Sequence, residues 1–98
     1  MKYLVYVGRQ RLRNGKVVDR VRVVRLRGLK SPRIVDKTLD KATRRGIVTI
    51  AHRVRMTARN GRHYYITKKF SLTLGDVKNL KSIKITSNPP PGPRMDFK

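Results

Sequence analysis

The sequence contains no cysteine and no glutamate, and its five acidic residues are all aspartates. Without cysteine the chain can form neither disulfides nor thiolate metal sites. No apolar run approaches the roughly 20 residues of a membrane-spanning helix. The N-terminus enters a strand pattern at once and lacks the apolar core of a signal peptide. These absences predict a soluble intracellular protein with a cytoplasmic location.

Groups that could carry catalysis are also scarce. The two histidines are His52 and His63. Neither has a carboxylate close in sequence, and two histidines without cysteine or clustered acids make no metal site. The sequence has no paired carboxylates, no nucleophile motif and no glycine-rich phosphate loop. We therefore expect no enzyme, no cofactor, no metal and no small-molecule substrate.

Positive charge is what the sequence has in abundance. The 98 residues include 26 lysines and arginines against five acids, which gives a formal net charge of +21. Self-repulsion on this scale works against a compact monomer, so a polyanionic partner is the natural explanation. The charges follow strand-like segments and not an amphipathic helix, which favours nucleic acid over a membrane surface.

Two alternating segments flank Asn60-Gly61, and Asn-Gly between such segments is a strong hairpin signal. The apolar residues of both segments fall on even numbers. A two-residue turn would pair even with odd residues and scatter the apolar set over both faces. A three-residue loop with Gly61 in the left-handed conformation instead pairs Ala58 with Arg62 and keeps the apolar set together. The further pairs it predicts are Met56–Tyr64, Val54–Ile66, Ile50–Phe70 and Val48–Leu72.

The odd-numbered face of this hairpin is then basic, with aromatic rings among the charges. The candidate nucleic-acid-binding residues on this face and its turn are Arg53, Arg55, Arg59, Arg62, His63, Tyr65 and Lys69. Cationic side chains would neutralise phosphates, while Tyr65 and His63 would stack on an exposed base. The alternative role for Tyr65 is packing over Arg55 on the neighbouring strand.

A first hairpin, formed by residues 2–13 and 16–27, surrounds a nearly identical turn at Asn14-Gly15. The same bulged loop pairs Leu12 with Lys16, Val5 with Val23, Val7 with Val21 and Arg9 with Asp19. The last pair gives Asp19 a cross-strand partner of opposite charge. The candidate nucleic-acid-binding residues of this hairpin are Arg9, Arg11, Arg13, Lys16, Arg20 and Arg22.

The segment between the hairpins is predicted to be a helix over residues 31–46. Ser31 suits the N-cap, Pro32 the first helical position and Gly46 the residue past the end. The apolar residues that recur at helical spacing are Ile34, Val35, Thr38, Leu39 and Ala42.

The pattern after the second hairpin is less regular. Residues 75–80 are expected to form a turn or a short helical piece, and residues 81–86 alternate like a short edge strand, so helix and strand both stay open. The tail, 87–98, is rich in proline and is expected to be extended. Arg94 in this tail is a further candidate contact, suited to a crevice in a large partner.

The predicted fold class is therefore α+β. Two antiparallel β-hairpins joined by a helix form a small, mostly antiparallel sheet with the helix on one face. This gives a single β-β-α-β-β domain over residues 1–86, followed by the proline-rich tail.

Three kinds of polyanionic partner fit the charge of this chain: ribosomal RNA, DNA and an acidic protein. Ribosomal RNA offers dense phosphate, and proteins bound to it often combine a small folded body with basic extended segments, as this chain does. The alternative is a DNA-binding chromatin protein of a thermophilic archaeon, which would wedge exposed aliphatic side chains between base steps. The odd face between residues 49 and 73 offers Ala51 and Tyr65 but no aliphatic wedge. A basic adaptor that binds an acidic protein is the third possibility.

One family resemblance bears on this choice. The run Tyr3-Leu4-Val5-Tyr6-Val7-Gly8-Arg9 and the turns Arg13-Asn14-Gly15 and Arg59-Asn60-Gly61 give the chain its character. In these features it resembles the small basic proteins of archaeal ribosomes, and more narrowly a crenarchaeal family of the large subunit. The resemblance implies a structural protein whose partners are ribosomal RNA and neighbouring ribosomal proteins. It assigns no individual binding residue.

Overall fold

The computed structural model describes residues 1–75 and 77–97. Within these residues the only helical element is a 3₁₀ turn, Leu80–Ser82, and the rest of the regular structure is strand. The strands are β1 (Tyr3–Arg11), β2 (Val17–Arg25), β3 (Lys30–Asp40), β4 (Arg45–Thr57), β5 (His63–Thr73), β6 (Lys84–Thr86) and β7 (Met95–Asp96). The protein is therefore all-β.

The strands form two sheets, one with the order β6-β1-β2-β7 and the other with the order β3-β4-β5. Every pair is antiparallel except β2 with β7. One buried cluster draws side chains from both sheets, from the loop after β2 and from the segments after β5: Leu4, Tyr6, Val24, Leu26, Val48, Ile50, Leu74, Val77 and Ile83. Burying an aliphatic side chain of this size contributes about 1.5–3 kcal/mol, so this cluster holds the two sheets together.

The β4–β5 hairpin has the predicted register. Met56 faces Tyr64, Val54 faces Ile66, Ile50 faces Phe70 and Val48 faces Leu72. The predicted three-residue loop is confirmed as well, because the Ala58 N–H donates to the Arg62 carbonyl at 2.8 Å. Gly61 has a φ of 82°, a left-handed conformation that glycine adopts without steric cost.

The β1–β2 hairpin uses the same loop. The Leu12 N–H donates to the Lys16 carbonyl at 2.8 Å, and Gly15 has a φ of 83°. The predicted pairs Val5–Val23, Val7–Val21 and Arg9–Asp19 are confirmed. The Asp19 carboxylate nevertheless forms its ion pair with Lys78, at 2.9 Å, and not with the residue opposite it in the sheet.

The predicted helix over residues 31–46 is wrong, and with it the α+β fold and the β-β-α-β-β order. The segment is β3, a turn and the beginning of β4. Ile34, Val35 and Thr38 are β-branched and suit a strand. Pairing with β4 along the length of β3 gives this segment backbone partners far away in sequence, which a local pattern does not reveal.

Two irregularities explain why β3 resembles a helix in sequence. The register shifts between Lys30 and Arg33 and again between Ile34 and Asp36. Each bulge inserts an extra residue and so breaks the two-residue alternation. Apolar residues then recur at mixed spacings, which look helical when no pairing partner is known.

The residues that suggested helix caps serve the strands instead. Ser31 has a positive φ of 50° at the first irregularity, and Pro32 is buried. Gly46 lies in β4, where an added Cβ would overlap the side chain of Leu80 and lie 3.3 Å from Val77 Cγ2. A larger residue at position 46 would therefore require the side chains of Leu80 and Val77 to shift.

The segment between β5 and the tail combines both structures that its pattern left open. Residues 80–82 form the 3₁₀ turn, which Asn79 caps by accepting a hydrogen bond from the Lys81 N–H at 2.9 Å. Strand β6 then pairs with β1 as the outer strand of its sheet. The predicted turn over residues 75–80 includes Asp76, which lies outside the described residues.

The proline-rich tail folds back onto the body. Strand β7 pairs in parallel with Val24 and Arg25 of β2, and the Asp96 carboxylate lies 3.7 Å from the Arg25 guanidinium. The ring of Phe97 stacks on Phe70 of β5 with centroids 5.5 Å apart. Because β7 belongs to one sheet and Phe70 to the other, the tail connects the two.

The molecule is elongated. Its Cα radius of gyration is 16.0 Å and its extents are 62 × 31 × 20 Å, whereas a compact domain of this length has a radius of gyration of about 13 Å. Strand β3 reaches β4 only as far as Arg53, so the hairpin continues from Val54 to Ile66 as a two-stranded ribbon. The β1–β2 hairpin likewise extends beyond the short strands β6 and β7. Both turns therefore project from the body.

Candidate nucleic-acid interface

Most odd-numbered residues of β4 and β5 lie on the outer face of the second sheet, although Ala51, on the same side, is buried. Side chains alternate between the two faces of a strand, so the confirmed register places the predicted set together. All five candidates within the strands are exposed: Arg53, Arg55, His63, Tyr65 and Lys69. The even-numbered residues opposite them include the buried Val48 and Ile50. The hairpin therefore has a basic outer face and an apolar inner face.

Tyr65 is the centre of a cluster of cations on this face. The Lys30 ammonium lies 3.1 Å from the Tyr65 hydroxyl and 4.7 Å from the ring centroid. The Arg53 guanidinium carbon lies 4.5 Å from the same centroid. Arg55 is directly opposite Tyr65 in the sheet, but the cations over the ring are Lys30 and Arg53 and not the predicted Arg55. Stacking of this kind holds a guanidinium in a fixed orientation.

Lys30 was missed by the sequence pattern. It reaches the cluster because β3 pairs with β4 at Lys30 and Arg53. A residue just before a predicted helix gave no reason to expect this position. The only local signal was that Ile34 and Val35, a few residues further along, are β-branched and suit a strand.

The cluster also changes the acidity of the phenol. The pKa of Tyr65 is lowered, first by the hydrogen bond from Lys30 and then by the positive charge of Lys30. Desolvation acts in the opposite direction, and Arg55 and Arg53 add smaller charge effects that lower the pKa further. The cations thus create a locally positive potential around the ring, and such a potential attracts phosphate.

The two turns present arginine and lysine in the same way. The Asn60 side chain accepts a hydrogen bond from the Arg62 N–H at 3.0 Å, and Asn14 does the same for the Lys16 N–H at 3.0 Å. Each asparagine thereby fixes the bend before the glycine. The four cations on these turns are exposed: Arg13, Lys16, Arg59 and Arg62.

The candidates within the first hairpin do not share one face. Arg9 and Arg11 have odd numbers and lie on the face of Asp19, whereas Arg20 and Arg22 pair with Gly8 and Tyr6 on the other face. Arg22 is half-buried and lines a groove together with Tyr6. A single flat nucleic-acid surface therefore cannot contact all four at once. A nucleic-acid strand that wraps around the ribbon would be able to contact all four arginines.

Arg94 is engaged by its own chain. Its guanidinium donates to the Pro90 carbonyl at 2.7 Å and lies 5.5 Å from the centroid of the Tyr3 ring. The side chain is half-buried. Contact with a partner would require Arg94 to leave these positions, so its position in the structure is one of tail anchoring.

The histidines lie on opposite faces of the second hairpin. His52 faces Lys68 and meets the ring of Phe70 edge-on, with centroids 5.8 Å apart. Its Nδ1 is buried without a hydrogen-bond partner among the described residues. His63, on the outer face, shares a hydrogen bond with the Thr57 hydroxyl at 3.1 Å. The two rings therefore cannot act together on one substrate.

The first hairpin also exposes aliphatic side chains that the sequence pattern did not single out. Val17 and Val21 are 53% and 55% exposed. Both have odd numbers and so share a face with Arg9 and Arg11. Exposed aliphatic side chains beside cations are what a wedge into duplex DNA requires.

Comparison with known proteins adds no identity. No protein-family model matches the chain, and neither a curated protein nor a solved structure matches it. The described residues contain no group of three His, Cys, Asp or Glu that could hold a metal ion. In the same residues, no helix is long and apolar enough to span a membrane.

Proposed function

We propose that the protein is a structural component of the large subunit of an archaeal ribosome, where it binds ribosomal RNA. The observation that supports this proposal is the pair of projecting ribbons with exposed cations on their turns and outer faces. An elongated body with two basic projections suits a partner that surrounds it, as folded RNA does. Neighbouring ribosomal proteins are further partners. The role involves no catalysis.

The proposed mechanism is electrostatic anchoring. Ten of the candidate cations are exposed: Arg9, Arg11, Arg13, Lys16, Arg20, Arg53, Arg55, Arg59, Arg62 and Lys69. Each would neutralise a phosphate and release condensed counterions. The ion pairs among the described residues involve only Arg25 and Lys78, so these ten cations are available for phosphate.

Stacking would add local shape recognition to this anchoring. Unpaired bases in RNA loops stack on aromatic rings and on guanidinium planes. The Arg53 guanidinium over Tyr65 and the exposed ring of His63 offer two such surfaces on the outer face. Duplex regions would be held through phosphate alone.

A DNA-binding role is the second candidate, favoured by the exposed Val17 and Val21 beside Arg9 and Arg11. In that role the first hairpin would enter a groove and the valines would contact base steps. The aromatic cluster of the second hairpin has no use in such binding. For this reason RNA remains the preferred partner.

Sedimentation of a native lysate from the source organism distinguishes these roles. The protein should co-migrate with large ribosomal subunits on a density gradient and should be released by ribonuclease or high salt. Co-purification with genomic DNA and release by deoxyribonuclease would support the second candidate instead. Migration as free protein at low salt would contradict both.

Changing Arg59 and Arg62 together to Ala should weaken binding to ribosomal RNA by about 15- to 30-fold at 0.15 M salt, since each lost phosphate contact costs roughly four- to fivefold. Both side chains are exposed on the turn, so the melting temperature should stay nearly unchanged. Filter binding and thermal denaturation measure the two quantities.

The matched control changes Lys81 and Lys84 to Ala. These residues are also exposed and lie outside the proposed interface. The control removes the same charge and should reduce affinity much less. Equal losses in the two double variants would mean that net charge, and not the turn, determines binding. A large loss of stability in the arginine variant would assign the turn a structural role.

A further inference from the structure

A second basic site lies where the turn between β3 and β4 meets β1 and the segment after β5. A groove of about 400 Å³ is lined there by Arg9, Leu39, Lys41, Arg44, Val77 and Lys78. Only Arg9 belongs to the candidates that the sequence pattern identified. The four cations come from three separate parts of the chain, so the fold brings them together.

Backbone contacts hold the three parts in place. Gly8, next to Arg9, forms an isolated antiparallel bridge with Val77. Gly46, at the beginning of β4, packs closely against the side chains of Val77 and Leu80, which would have to shift to admit a Cβ. The base of the turn and the strand β1 are thus both fixed against the segment that carries Lys78. The fold itself therefore places the backbone of these three parts side by side.

Among the described residues the groove carries more positive than negative charge, although the Asp40 carboxylate lies in the turn that carries Lys41 and Arg44. Lys78 is paired with Asp19 at 2.9 Å, outside the lining of the groove. Among the described residues, no ion pair involves Arg9, Lys41 or Arg44. Three unpaired cations around a concave surface concentrate positive potential, which attracts an anion. Leu39 and Val77 add apolar side chains to the lining of the groove.

Arg44 has an unusual backbone conformation. Its φ is 56°, in the left-handed region that a side chain with a Cβ adopts only at a cost. The corresponding conformation in the other two hairpin turns is taken by Gly15 and Gly61. The turn around Arg44 is also fixed by a hydrogen bond from the Ala42 N–H to the Asp40 carboxylate at 3.0 Å. Arginine is thus kept where glycine would fit better, which points to a use for its guanidinium.

We infer that this groove binds one phosphate group of a nucleic-acid backbone. The guanidinium groups of Arg44 and Arg9 would donate hydrogen bonds to the phosphate oxygens. Lys41 and Lys78 would add charge, and the apolar side chains of the lining would contact the adjoining sugar. The inference rests on the proposed function, in which the phosphate belongs to the backbone of ribosomal RNA. It adds a contact that lies apart from the outer face of β4–β5 and from both asparagine-glycine turns.

The test is the substitution Arg44→Gly. It should reduce affinity for ribosomal RNA about four- to fivefold at 0.15 M salt, which is the loss of one phosphate contact. The melting temperature should be unchanged or higher, because glycine relieves the left-handed strain. If binding is lost while the melting temperature is unchanged or higher, Arg44 has a ligand-binding role and not a structural one. Arg44→Asn serves as the second variant, since asparagine tolerates this conformation.

Arg45→Gln is the matched control. Arg45 is adjacent and exposed and carries the same charge, but it does not line the groove. Its loss should leave affinity almost unchanged. Equal losses for Arg44→Gly and Arg45→Gln would overturn the inference, and so would a fall in melting temperature that accompanies the loss of binding in both Arg44 variants.

Inorganic phosphate tests the site independently of RNA. In a titration followed by amide NMR, wild-type protein should show saturable shifts at residues 41–44, and Arg44→Gly should not. If the amide resonances shift saturably with phosphate but the protein does not bind RNA, the anion site is supported and the proposed function is refuted. Shifts spread evenly over the hairpin turns would refute the site. RNA binding that Arg44→Gly leaves intact would refute the site and leave the proposed function standing.

Discussion

Affinity for ribosomal RNA should fall by about four to five powers of ten as monovalent salt rises from 50 to 200 mM. Ten exposed candidate cations lie on the two projecting hairpins. If each neutralises one phosphate, a plot of log affinity against log salt has a slope of about −7 to −9. Filter binding or fluorescence anisotropy at five or six salt concentrations gives this slope directly.

The steepness of this plot separates anchoring to phosphate from other modes of binding. The variant in which Arg59 and Arg62 are changed to Ala should have a slope shallower by about 1.4 to 1.8, since two contacts are lost. A slope of only about −2 for the wild-type protein would mean that few phosphates are contacted. Binding would then depend on stacking and hydrogen bonds to bases, and the proposed mechanism would be wrong.

Changing Phe97 to Ala should lower the melting temperature by about 8–16 °C. The half-buried ring of Phe97 stacks on Phe70 at 5.5 Å between centroids. Its burial and aromatic contact together contribute about 2 kcal/mol, and each kcal/mol shifts the melting temperature of a domain this small by about 4–8 °C. Differential scanning calorimetry or circular dichroism measures the change.

Phe97→Leu is the control for this prediction. Leucine keeps most of the apolar burial and loses the stacking, so its melting temperature should lie between those of the wild type and the Ala variant. Limited proteolysis gives an independent measurement, because a released tail should be cut faster near Arg94. If both variants melt like the wild type, the tail is not part of the folded body in solution, and a role on an external partner becomes the better explanation.

The sequence predicts the two hairpins in detail because their information is local. Asn14-Gly15 and Asn60-Gly61 determine the loop, and the even-numbered apolar residues determine which face is buried. Register then follows residue by residue, and the outer basic face follows from register. The sequence therefore predicts that Arg55 lies opposite Tyr65, and the structure confirms this pairing.

The structure differs from the prediction where long-range pairing overrides local pattern. Ser31, Pro32 and Gly46 have the right spacing for helix caps, yet the segment pairs with β4 and its bulges hide the alternation. The turn after β3 falls inside the predicted helix, so the sequence pattern does not predict it. With β3 unrecognised, nothing placed Lys30 beside Tyr65, and nothing brought Arg44 towards Arg9. Each missed contact depends on a backbone pairing between distant residues.

The two edge strands of the second sheet carry lysines that also affect how copies of the protein associate. Strands β3 and β5 flank β4, and each is an edge eleven residues long. An edge of this length can pair with the edge of another molecule and start aggregation, and lysine on such edges is a common protection. Here Lys30 and Lys37 lie on one edge and Lys68 and Lys69 on the other. The same cations that would hold phosphate therefore keep two unbound copies from joining their sheets.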